Sequence, residues 1–384
     1  MSSEPTPTSV YVHFPWCARK CPYCDFATEP VTADTIAHDA YADALARELE
    51  YRAADLHGRT LFSVFFGGGT PSLWRADALE RTLKRIRSAF ASEADELEVT
   101  AECNPSSLSQ AHAAALRDAG VTRVSLGVQS LRDEHLRFLG RLHDSATALI
   151  ALEAAVREVP RVSADLMFGM PKQTPEALSE DVSRLVDAGV EHVSAYALTI
   201  EPRTLFGSLH KTGRLEVATE DRYADLFETA HAKFAAFGFD HYEVSNYARD
   251  GKVSQHNLHY WHGGAYVGLG SSAVGCLDHG VGRALRWRNE PIPQRYMAEP
   301  CKEGEAETLG PTELVREALM LGLRTSEGVD VGATERRAGQ AIELGRERDV
   351  ARALDRGDLV AHEGRLRVPQ DRWLKLDGIV RDLF

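Results

Sequence analysis

The stretch VYVHFPWCARKCPYC, residues 10–24, decides the fold of this chain. Its apolar beginning, residues 10–14, predicts a buried strand, and three cysteines follow at once in a loop that two prolines keep irregular. The spacings of four and three residues between Cys17, Cys21 and Cys24 allow one short loop to surround a compact centre of soft metal ions. The stretch therefore predicts a metal site at the end of a strand.

Strands and helices alternate regularly over the first 250 residues. Short apolar runs predict strands at residues 10–14, 61–66, 97–101, 123–129, 162–168 and 192–198. Apolar residues that recur every three and four positions predict helices at residues 40–52, 76–90, 110–119, 146–157, 175–188 and 219–237. This alternation predicts an α/β fold with a partial parallel (β/α)6 barrel. A doubly wound open sheet is the competing architecture, which periodicity does not separate from a barrel.

Polar and sulfur-bearing residues gather at the ends of these strands. They are Cys17, Cys21, Cys24, residues 67–70, Glu102, Gln129, Asp165 and Tyr196. Parallel barrels and open α/β sheets both place their active sites at the carboxyl ends of the strands. The sequence therefore predicts a single site to which all six strand ends contribute.

The composition is that of a globular protein and argues against several functional classes. The 384 residues include 57 acidic and 44 basic side chains, which gives a formal charge of −13 and no clustered basic run for nucleic acid. The polar N-terminus shows no signal peptide, and no apolar run approaches the ~20 residues of a membrane span. We therefore expect a cytoplasmic protein with no nucleic-acid partner and no transmembrane segment. In that reducing compartment, crowded cysteines indicate ligands or catalytic groups rather than disulfides.

The pattern of the chain changes after about residue 250. We predict a barrel with its cysteine loop over residues 1–250, an aromatic, glycine-rich linker region over 251–310, and a C-terminal α+β domain over 311–384. In the last segment two short alternating runs flank residues 363–364 like a hairpin, which is typical of a winged-helix-like domain. Such domains often serve only in packing or protein contacts, so DNA binding does not follow from this fold.

Three local cysteines limit the kind of metal centre. A closed structural zinc site and an ordinary electron-transfer cluster each need four protein ligands. The other thiols, Cys103, Cys276 and Cys301, are expected to be isolated buried or surface groups. A 4Fe–4S cluster held by three cysteines would leave one iron open to an external ligand. The alternative is a zinc site completed by His13 or by a remote cysteine.

The cysteine loop resembles the signature of the radical S-adenosylmethionine (SAM) superfamily, in which the open iron binds the amino and carboxylate groups of SAM. Gly67-Gly-Gly-Thr-Pro71, directly after the second strand, resembles the glycine segment that this superfamily uses for the ammonium group. Residues without a Cβ atom let backbone carbonyls approach an ammonium closely. The resemblance therefore implies a 4Fe–4S cluster on the three cysteines and SAM as a cofactor.

The remaining strand ends resemble the oxygen-independent coproporphyrinogen III oxidase-like branch of this superfamily, and the likeness covers nearly the whole chain. It implies that SAM is contacted by Tyr11, Tyr23, Gly68, Gly69, Thr70, Glu102, Gln129, Arg141, Asp165 and Ala197. These residue types suit the task, because Arg141 can pair bidentately with a carboxylate and Asp165 can accept hydrogen bonds from ribose hydroxyls.

Within this branch the chain is more similar to the HemW-type haem chaperones than to the decarboxylating oxidases. The oxidases carry a further cysteine where this chain has Phe26, and they have a longer N-terminal extension. Residues 256–261, His-Asn-Leu-His-Tyr-Trp, match the segment with which the haem chaperones ligate haem. The resemblance implies that His256 is an axial ligand beside an aromatic wall. A hydrogen-bonded histidine, or a zinc site with His259 and His262, is the alternative for this segment.

Two functions are implied by the resemblance. The first is a haem chaperone that carries the cluster and SAM and passes haem to acceptor proteins; a homodimer is left open. The second is a radical SAM coproporphyrinogen III oxidase, in which a 5′-deoxyadenosyl radical starts the oxidative decarboxylation of a porphyrinogen propionate. A protein that only binds partners through its C-terminal domain would not explain the strand-end residues.

Overall fold

A twelve-stranded sheet organises residues 5–384, the part of the chain that the computed structural model describes. Residues 1–4, which belong to the predicted first segment and to the N-terminus expected to lack a signal peptide, lie outside the described residues. Two smaller sheets accompany it, one of β2 and β3 and one of β15, β16 and β17. The strands of all three sheets are β1 (Thr6–Phe14), β2 (Trp16–Cys17), β3 (Glu29–Pro30), β4 (Arg59–Gly68), β5 (Ser92–Cys103), β6 (Arg123–Gln129), β7 (Arg161–Phe168), β8 (His192–Ala197), β9 (Asp240–Glu243), β10 (Asn246–Ala248), β11 (Ala265–Leu269), β12 (Val274–Asp278), β13 (Ala284–Asn289), β14 (Glu303–Leu309), β15 (Val329–Asp330), β16 (Val360–His362) and β17 (Arg365–Arg367).

Helices cover the outer face of the sheet and form much of the C-terminal domain. They are α1 (His38–Tyr51), α2 (Ala53–Leu56), α3 (Ala76–Ala89), α4 (Gln110–Asp118), α5 (Asp133–Phe138), α6 (Ser145–Glu158), α7 (Pro175–Asp187), α8 (Leu205–Lys211), α9 (Glu220–Ala236), α10 (Gln255–Trp261), α11 (Pro293–Ala298), α12 (Pro311–Gly322), α13 (Val331–Ala338), α14 (Glu347–Asp355) and α15 (Leu376–Arg381). Over residues 5–384 no helix combines the length and the apolar character that crossing a membrane requires.

Six parallel strands form the centre of the sheet and follow one another in chain order, β1, β4, β5, β6, β7 and β8. At least one helix connects each strand to the next, and every predicted strand and helix overlaps an observed one. A doubly wound sheet would reverse its strand order at a switch point. Because the order runs unbroken, the prediction of a partial parallel barrel is confirmed.

The two faces of the barrel strands differ in polarity, because successive side chains of a strand point to opposite faces. Outward positions such as Val64, Val124 and Ala164 are fully buried in the main apolar core under the helices. Inward positions such as Ser63 and Ser125 are buried and polar. The barrel therefore has a polar interior, and its apolar stabilisation comes from the strand–helix layer outside it.

The segment 251–310, predicted to be a linker region, instead extends the sheet. Strand β11 pairs in parallel with β1, and β12, β13 and β14 continue antiparallel. Glycines obscure these strands in the sequence, because they occupy places where another group comes too close for a side chain. A Cβ at Gly268 would overlap the backbone of Val274, and one at Gly275 would overlap the Trp287 ring. The boundaries of the three predicted segments stay predictions.

A buried carboxyl group ties the added strands to the barrel. Glu48 of α1 accepts hydrogen bonds from Tyr296 Oη at 2.6 Å, from Asn289 Nδ2 at 2.7 Å and from the backbone N–H of Gly270 at 3.0 Å. Leaving these donors unpaired in the interior would cost free energy. The network therefore fixes the edge of the barrel beside β1, where a second cavity lies.

The C-terminal domain has the element order of a winged helix, with helix α12, strand β15, helices α13 and α14, and the hairpin β16–β17. Its strands form an antiparallel sheet in the order β15, β17, β16, which confirms the predicted winged-helix-like fold. The domain packs on the barrel through Trp373, whose ring meets His241 edge-on at 4.5 Å, and through Gln370, which donates to the His241 backbone oxygen at 2.8 Å. This packing places Glu317 of α12 in one cavity wall with Tyr11 of β1.

Candidate functional site

A cavity of about 500 Å³, the first cavity, opens at the carboxyl ends of the barrel strands. The predicted site residues in its walls are Tyr11, Cys17, Cys21, Tyr23, Cys24, Gly68, Gly69, Thr70, Glu102, Gln129, Arg141, Asp165 and His256. The parallel strands bring these side chains together because all their carboxyl ends meet at one edge of the sheet. The structure thus assembles the strand-end residues into a single site.

The cysteine loop is held by main-chain hydrogen bonds on both of its sides. Strand β2, which contains Cys17, pairs in parallel with β3, and the N–H of Cys24 donates to the carbonyl of Cys21 at 3.1 Å. The N–H of Thr70 donates to the carbonyl of Trp16 at 2.8 Å, so the glycine segment closes against the start of the loop. These bonds present the three thiols toward the first cavity.

The chemistry of the three thiols suits a cluster of positive irons. All three are free, and burial raises the pKa of Cys17 and raises that of Cys24 to about 11. Metal ligands are thiolates, so a cationic centre must offset the cost of ionising them. The guanidinium of Arg141 also approaches Cys21, with Nη1 3.6 Å from Sγ. The donor set therefore fits the three-cysteine cluster.

A single zinc ion does not fit the loop. Within residues 5–384 no three His, Cys, Asp or Glu side chains converge closely enough to ligate one metal ion. His13, the fourth ligand in that alternative, has Nε2 2.9 Å from the backbone oxygen of Ala27 and Nδ1 3.1 Å from Tyr11 Oη. Each thiolate of an iron–sulfur cube binds a different iron, so a cube does not require convergence on one ion.

The packing of the protein itself accounts for the glycine segment. Gly68 has a φ of +102°, and a Cβ there would lie 2.5 Å from the ring of His13. A Cβ at Gly69 would overlap the carbonyl of Trp16. The fold thus requires glycine at both positions, and the N–H of Gly68 is used by Glu102, whose Oε2 accepts from it at 3.1 Å. Ligand contacts of Gly68, Gly69 and Thr70 stay predictions.

Two carboxyl groups, those of Glu102 and Asp165, line the first cavity. Burial, and next the nearby charge of Asp165, raise the pKa of Glu102 to about 8. Burial also raises the pKa of Asp165, which accepts a hydrogen bond from Ser125 Oγ at 3.0 Å. A cationic ligand would offset this cost, so the pair suits the ammonium or sulfonium of a ligand such as SAM.

Arg141 lies between the cysteine loop and strand β6. Its Nη2 donates to the carbonyl of Gly127 at 2.8 Å, and its Nε is buried and has no partner among the described residues. An unpaired buried donor is costly unless a ligand accepts from it. The side chain is therefore suited to an anionic group bound beside Cys21.

Ala197 is the predicted site residue that the walls of the first cavity do not include. It follows Tyr196 on β8, and Ser194 and Tyr196 line the cavity instead, as does Ser125 on β6. Tyr196 is the residue predicted at the end of this strand, and because side chains two apart on a strand share a face, it also points to Ser194. Any contact of Ala197 with a ligand stays a prediction.

His256 lies inside the barrel and not in a loop beyond it. It is the second residue of helix α10, its side chain is 1% exposed, and its ring stacks on Phe65 at 4.9 Å. Its Nδ1 lies 2.8 Å from Ser63 Oγ, whereas its Nε2 is buried without a partner in the described part of the chain. Burial lowers the pKa of His256 well below its ordinary value, which keeps the imidazole neutral. A purely hydrogen-bonded histidine was the alternative to a haem ligand for this residue. The structure shows such a contact for Nδ1, whereas Nε2 has no partner among the described residues.

An ion pair between the buried Glu98 and the partly exposed Arg161 holds helix α10 in this position. Glu98 of β5 accepts from the backbone N–H groups of Gln255 at 3.1 Å and His256 at 2.9 Å. Arg161 pairs with Glu98 at 2.8 Å and donates to the carbonyl of Val253 at 2.6 Å. The charge pair anchors the beginning of the helix, so the imidazole of His256 is fixed against the barrel wall.

The other two histidines of the segment do not join His256. His259 Nε2 lies 2.8 Å from the carbonyl oxygen of Ala265, and its ring stacks on Phe62 at 4.8 Å. His262 points toward the C-terminal domain, where its Nε2 lies 3.8 Å from Glu327. The zinc alternative for the segment therefore has no geometry to support it within residues 5–384.

Comparison with known proteins connects this site to one superfamily. Residues 11–185 match the Radical SAM superfamily, and residues 309–373 match the HemN C-terminal domain. The haem chaperone HemW of Mycobacterium tuberculosis H37Rv is 36% identical over 98% of this chain and 95% of its own length. The haem chaperone HemW of Escherichia coli K12 is 38% identical over 76% of each chain.

Two further matches extend the comparison to a vertebrate protein and to a solved structure. The mitochondrial radical S-adenosyl methionine domain-containing protein 1 of Danio rerio is 35% identical over 85% of this chain and 75% of its own length. The solved coproporphyrinogen III oxidase HemN of Escherichia coli, a radical SAM enzyme, superposes with a TM-score of 0.81 at 21% identity. It covers 99% of this chain and 91% of that chain, and at this identity the likeness shows a shared fold alone.

Proposed function

Because the chain belongs to the HemW family of the radical SAM superfamily, we propose that it binds haem and passes it to acceptor proteins. The family implies a 4Fe–4S cluster and SAM as cofactors. The observation that carries the proposal is the buried, unpartnered Nε2 of His256 in the wall of the first cavity. A cytoplasmic location, a homodimer and the existence of haem-acceptor proteins stay predictions.

The surroundings of His256 suit an axial haem ligand. An iron-binding imidazole commonly donates its second N–H to a neighbouring acceptor, which sets the tautomer and the ring orientation. Ser63 Oγ, 2.8 Å from Nδ1, is in place for that role, so Nε2 can present its lone pair. The rings of Phe65 and Tyr260, at 4.9 and 4.6 Å from the imidazole, add apolar surface beside it.

The cofactors have their own set of residues in the first cavity. Cys17, Cys21 and Cys24 would hold the cluster, and the buried carboxyls of Glu102 and Asp165 would face the positive groups of SAM. When bound, the cluster supplies an electron to SAM, as in the superfamily at large. The side chains of this protein bind, orient and exclude water, whether or not SAM is cleaved.

One comparison of activities tests the proposed function. Anaerobically reconstituted protein should bind haem stoichiometrically and transfer it to an apo-acceptor, and it should not decarboxylate coproporphyrinogen III with SAM and a reductant. Phe26 supports this expectation, since the oxidases are expected to have a cysteine at its position. Sustained formation of protoporphyrinogen IX would overturn the chaperone assignment in favour of the oxidase.

The SAM site makes a separate prediction. Asp165→Ala should weaken SAM binding roughly 10- to 150-fold, because a charge-assisted hydrogen bond is lost. Isothermal calorimetry on reconstituted protein measures this directly, and iron and sulfide content should stay unchanged. Asp187→Ala, at an exposed position of α7, is the matched control. Equal SAM affinity in Asp165→Ala and in the control would show that SAM does not contact Asp165.

A further inference from the structure

A second cavity of about 570 Å³ lies between the barrel and the C-terminal domain. Its walls come from β1, the residues directly after Cys24, helix α10, the added strands β11 to β13, and helices α12 and α13, with single residues from β4, β5 and the segment before α8. The wall residues that matter for its chemistry are Tyr260, Tyr266, Phe26, Arg203, Arg288, Arg337, Glu317 and Asp25. A volume of this size is typical of sites for cofactors and other medium-sized ligands.

The second cavity adjoins the first. Tyr11, Gly68, Glu102 and Tyr260 line both of them. The Tyr260 ring lies 4.6 Å from the imidazole of His256 and 4.5 Å from the ring of Tyr266 in the second cavity. A single flat ligand can therefore contact the His256 side of the first cavity and the walls of the second.

The walls favour a flat apolar ligand. Tyr260 and Tyr266 present neighbouring rings, and Val274 and Leu321 add aliphatic surface. Phe26 lines both cavities and is 57% exposed, which is high for so large an apolar side chain. Aromatic walls with an exposed ring at the edge suit a planar macrocycle that would cover that ring.

The charges of the second cavity favour carboxylates on that ligand. Arg337 is paired with Asp278 at 2.9 Å, and Glu317 is paired with Arg286. The guanidinium groups of Arg288 and Arg203 are exposed and have no side-chain hydrogen bond or ion pair with any of the described residues.

Two acidic residues also face the second cavity. Glu102 lines both cavities, and the proposed function assigns its carboxyl to the positive groups of SAM in the first one. Asp25 is then the remaining acidic residue of the described wall that has no ion-pair partner. Against this single negative charge, the two guanidinium groups of Arg203 and Arg288 are available to an anionic ligand.

We propose that the second cavity seats the haem macrocycle and that Arg288 and Arg203 bind its two propionates. The inference rests on the proposed function, because it assumes that haem is the cargo. It assigns to one ligand the features that the cluster and SAM do not use, namely the aromatic walls and the unpaired arginines. It also places the macrocycle against Tyr260, whose ring lies 4.6 Å from the imidazole of His256.

Titration of two ligands into wild-type protein and arginine variants tests the proposal. Haem and haem dimethyl ester, whose propionates are blocked, are titrated into full-length wild-type protein and into Arg288→Ala, Arg203→Ala and the double variant. Each single variant should bind haem roughly 10- to 150-fold more weakly, since each loses a charge-assisted contact. The wild type should bind haem dimethyl ester much more weakly than haem, whereas the double variant should bind the two ligands almost equally. Arg288→Lys, which keeps the charge, should restore part of the affinity.

Arg348→Ala, an exposed position on α14 away from both cavities, is the matched control and should bind haem as the wild type does. Circular dichroism and iron content confirm that each variant is folded and loaded. Equal haem affinity in the double variant and the wild type would overturn this site while leaving the chaperone function standing. A wild type that binds no haem would overturn the proposed function itself. Equal loss on esterification in both proteins would place the propionates elsewhere.

Discussion

Replacement of His256 by Ala is expected to weaken haem binding by at least about tenfold and to shift the Soret band. Loss of a residue that merely supports a metal ligand costs roughly 10- to 100-fold in affinity, so loss of the ligand itself should cost no less. The aromatic contacts of Tyr260 remain in this variant, so residual binding through the macrocycle should persist. Absorbance titration of the reconstituted protein gives both the midpoint and the spectrum.

Two other variants accompany His256→Ala in this experiment, one at its hydrogen-bond partner and one at a distant histidine. Ser63→Ala removes the hydroxyl 2.8 Å from Nδ1 and should shift the spectrum less than loss of the imidazole. His279→Ala, exposed between β12 and β13, should leave haem binding unchanged. Cluster content and SAM affinity should hardly move in His256→Ala. Identical midpoints and spectra for His256→Ala and wild type would show that His256 is not the ligand, and Tyr260 and His259 would be tested next.

Single replacement of Cys17, Cys21 or Cys24 by Ala should abolish the visible iron–sulfur absorbance after anaerobic reconstitution. Each thiolate binds its own iron, so loss of one thiol leaves that iron without its protein ligand. Cys301→Ala is the control, because this thiol is exposed and belongs to neither cavity. Iron, acid-labile sulfide and zinc analysis measure the outcome, and zinc without sulfide in the wild type would contradict a cluster.

A further variant, Cys103→Ala, tests whether the cluster has a fourth cysteine ligand. Cys103 was expected to be an isolated thiol, and it is buried, yet it lies in the wall of the first cavity. Its Sγ lies 3.7 Å from the carbonyl oxygen of Ala101, two residues earlier on β5, to which it can donate. We expect Cys103→Ala to keep the cluster. Loss of the cluster in that variant would identify a fourth ligand and remove the open iron on which SAM binding depends.

The barrel could be predicted because its signals are local. A strand buried on both faces shows as a short apolar run and a covering helix as a 3.6-residue period, and both survive in the sequence without any knowledge of partners. The strands β11 to β14 could not be predicted from apolar runs, because glycines interrupt those runs. Gly268 packs against the backbone of Val274 and Gly275 against the ring of Trp287, where a side chain would not fit. Such contacts exist only once the strands are paired.

The site was predictable in part for the same reason. The carboxyl ends of parallel strands meet at one edge, so order along the chain was sufficient to group Glu102, Gln129 and Asp165. The resemblance also pointed to Ala197, whose neighbour Tyr196 lines the first cavity instead. Alternation along β8 decides which of two adjacent residues faces inward, and this requires the register of the strand.

The sequence by itself determined the cysteine spacing, the alternation of strands and helices that builds the barrel, and the superfamily that both features indicate. Each of these depends only on residues that are close together in the chain. Only the tertiary structure decided the surroundings of His256. Ser63 lies 193 residues before it and Glu98 lies 158 residues before it, yet both contact it directly. The same holds for the second cavity, in which Arg203 comes from the segment before α8, Arg288 from β13 and Arg337 from α13 of the C-terminal domain. Contacts between distant segments depend on how whole elements pack, and no local pattern encodes that packing.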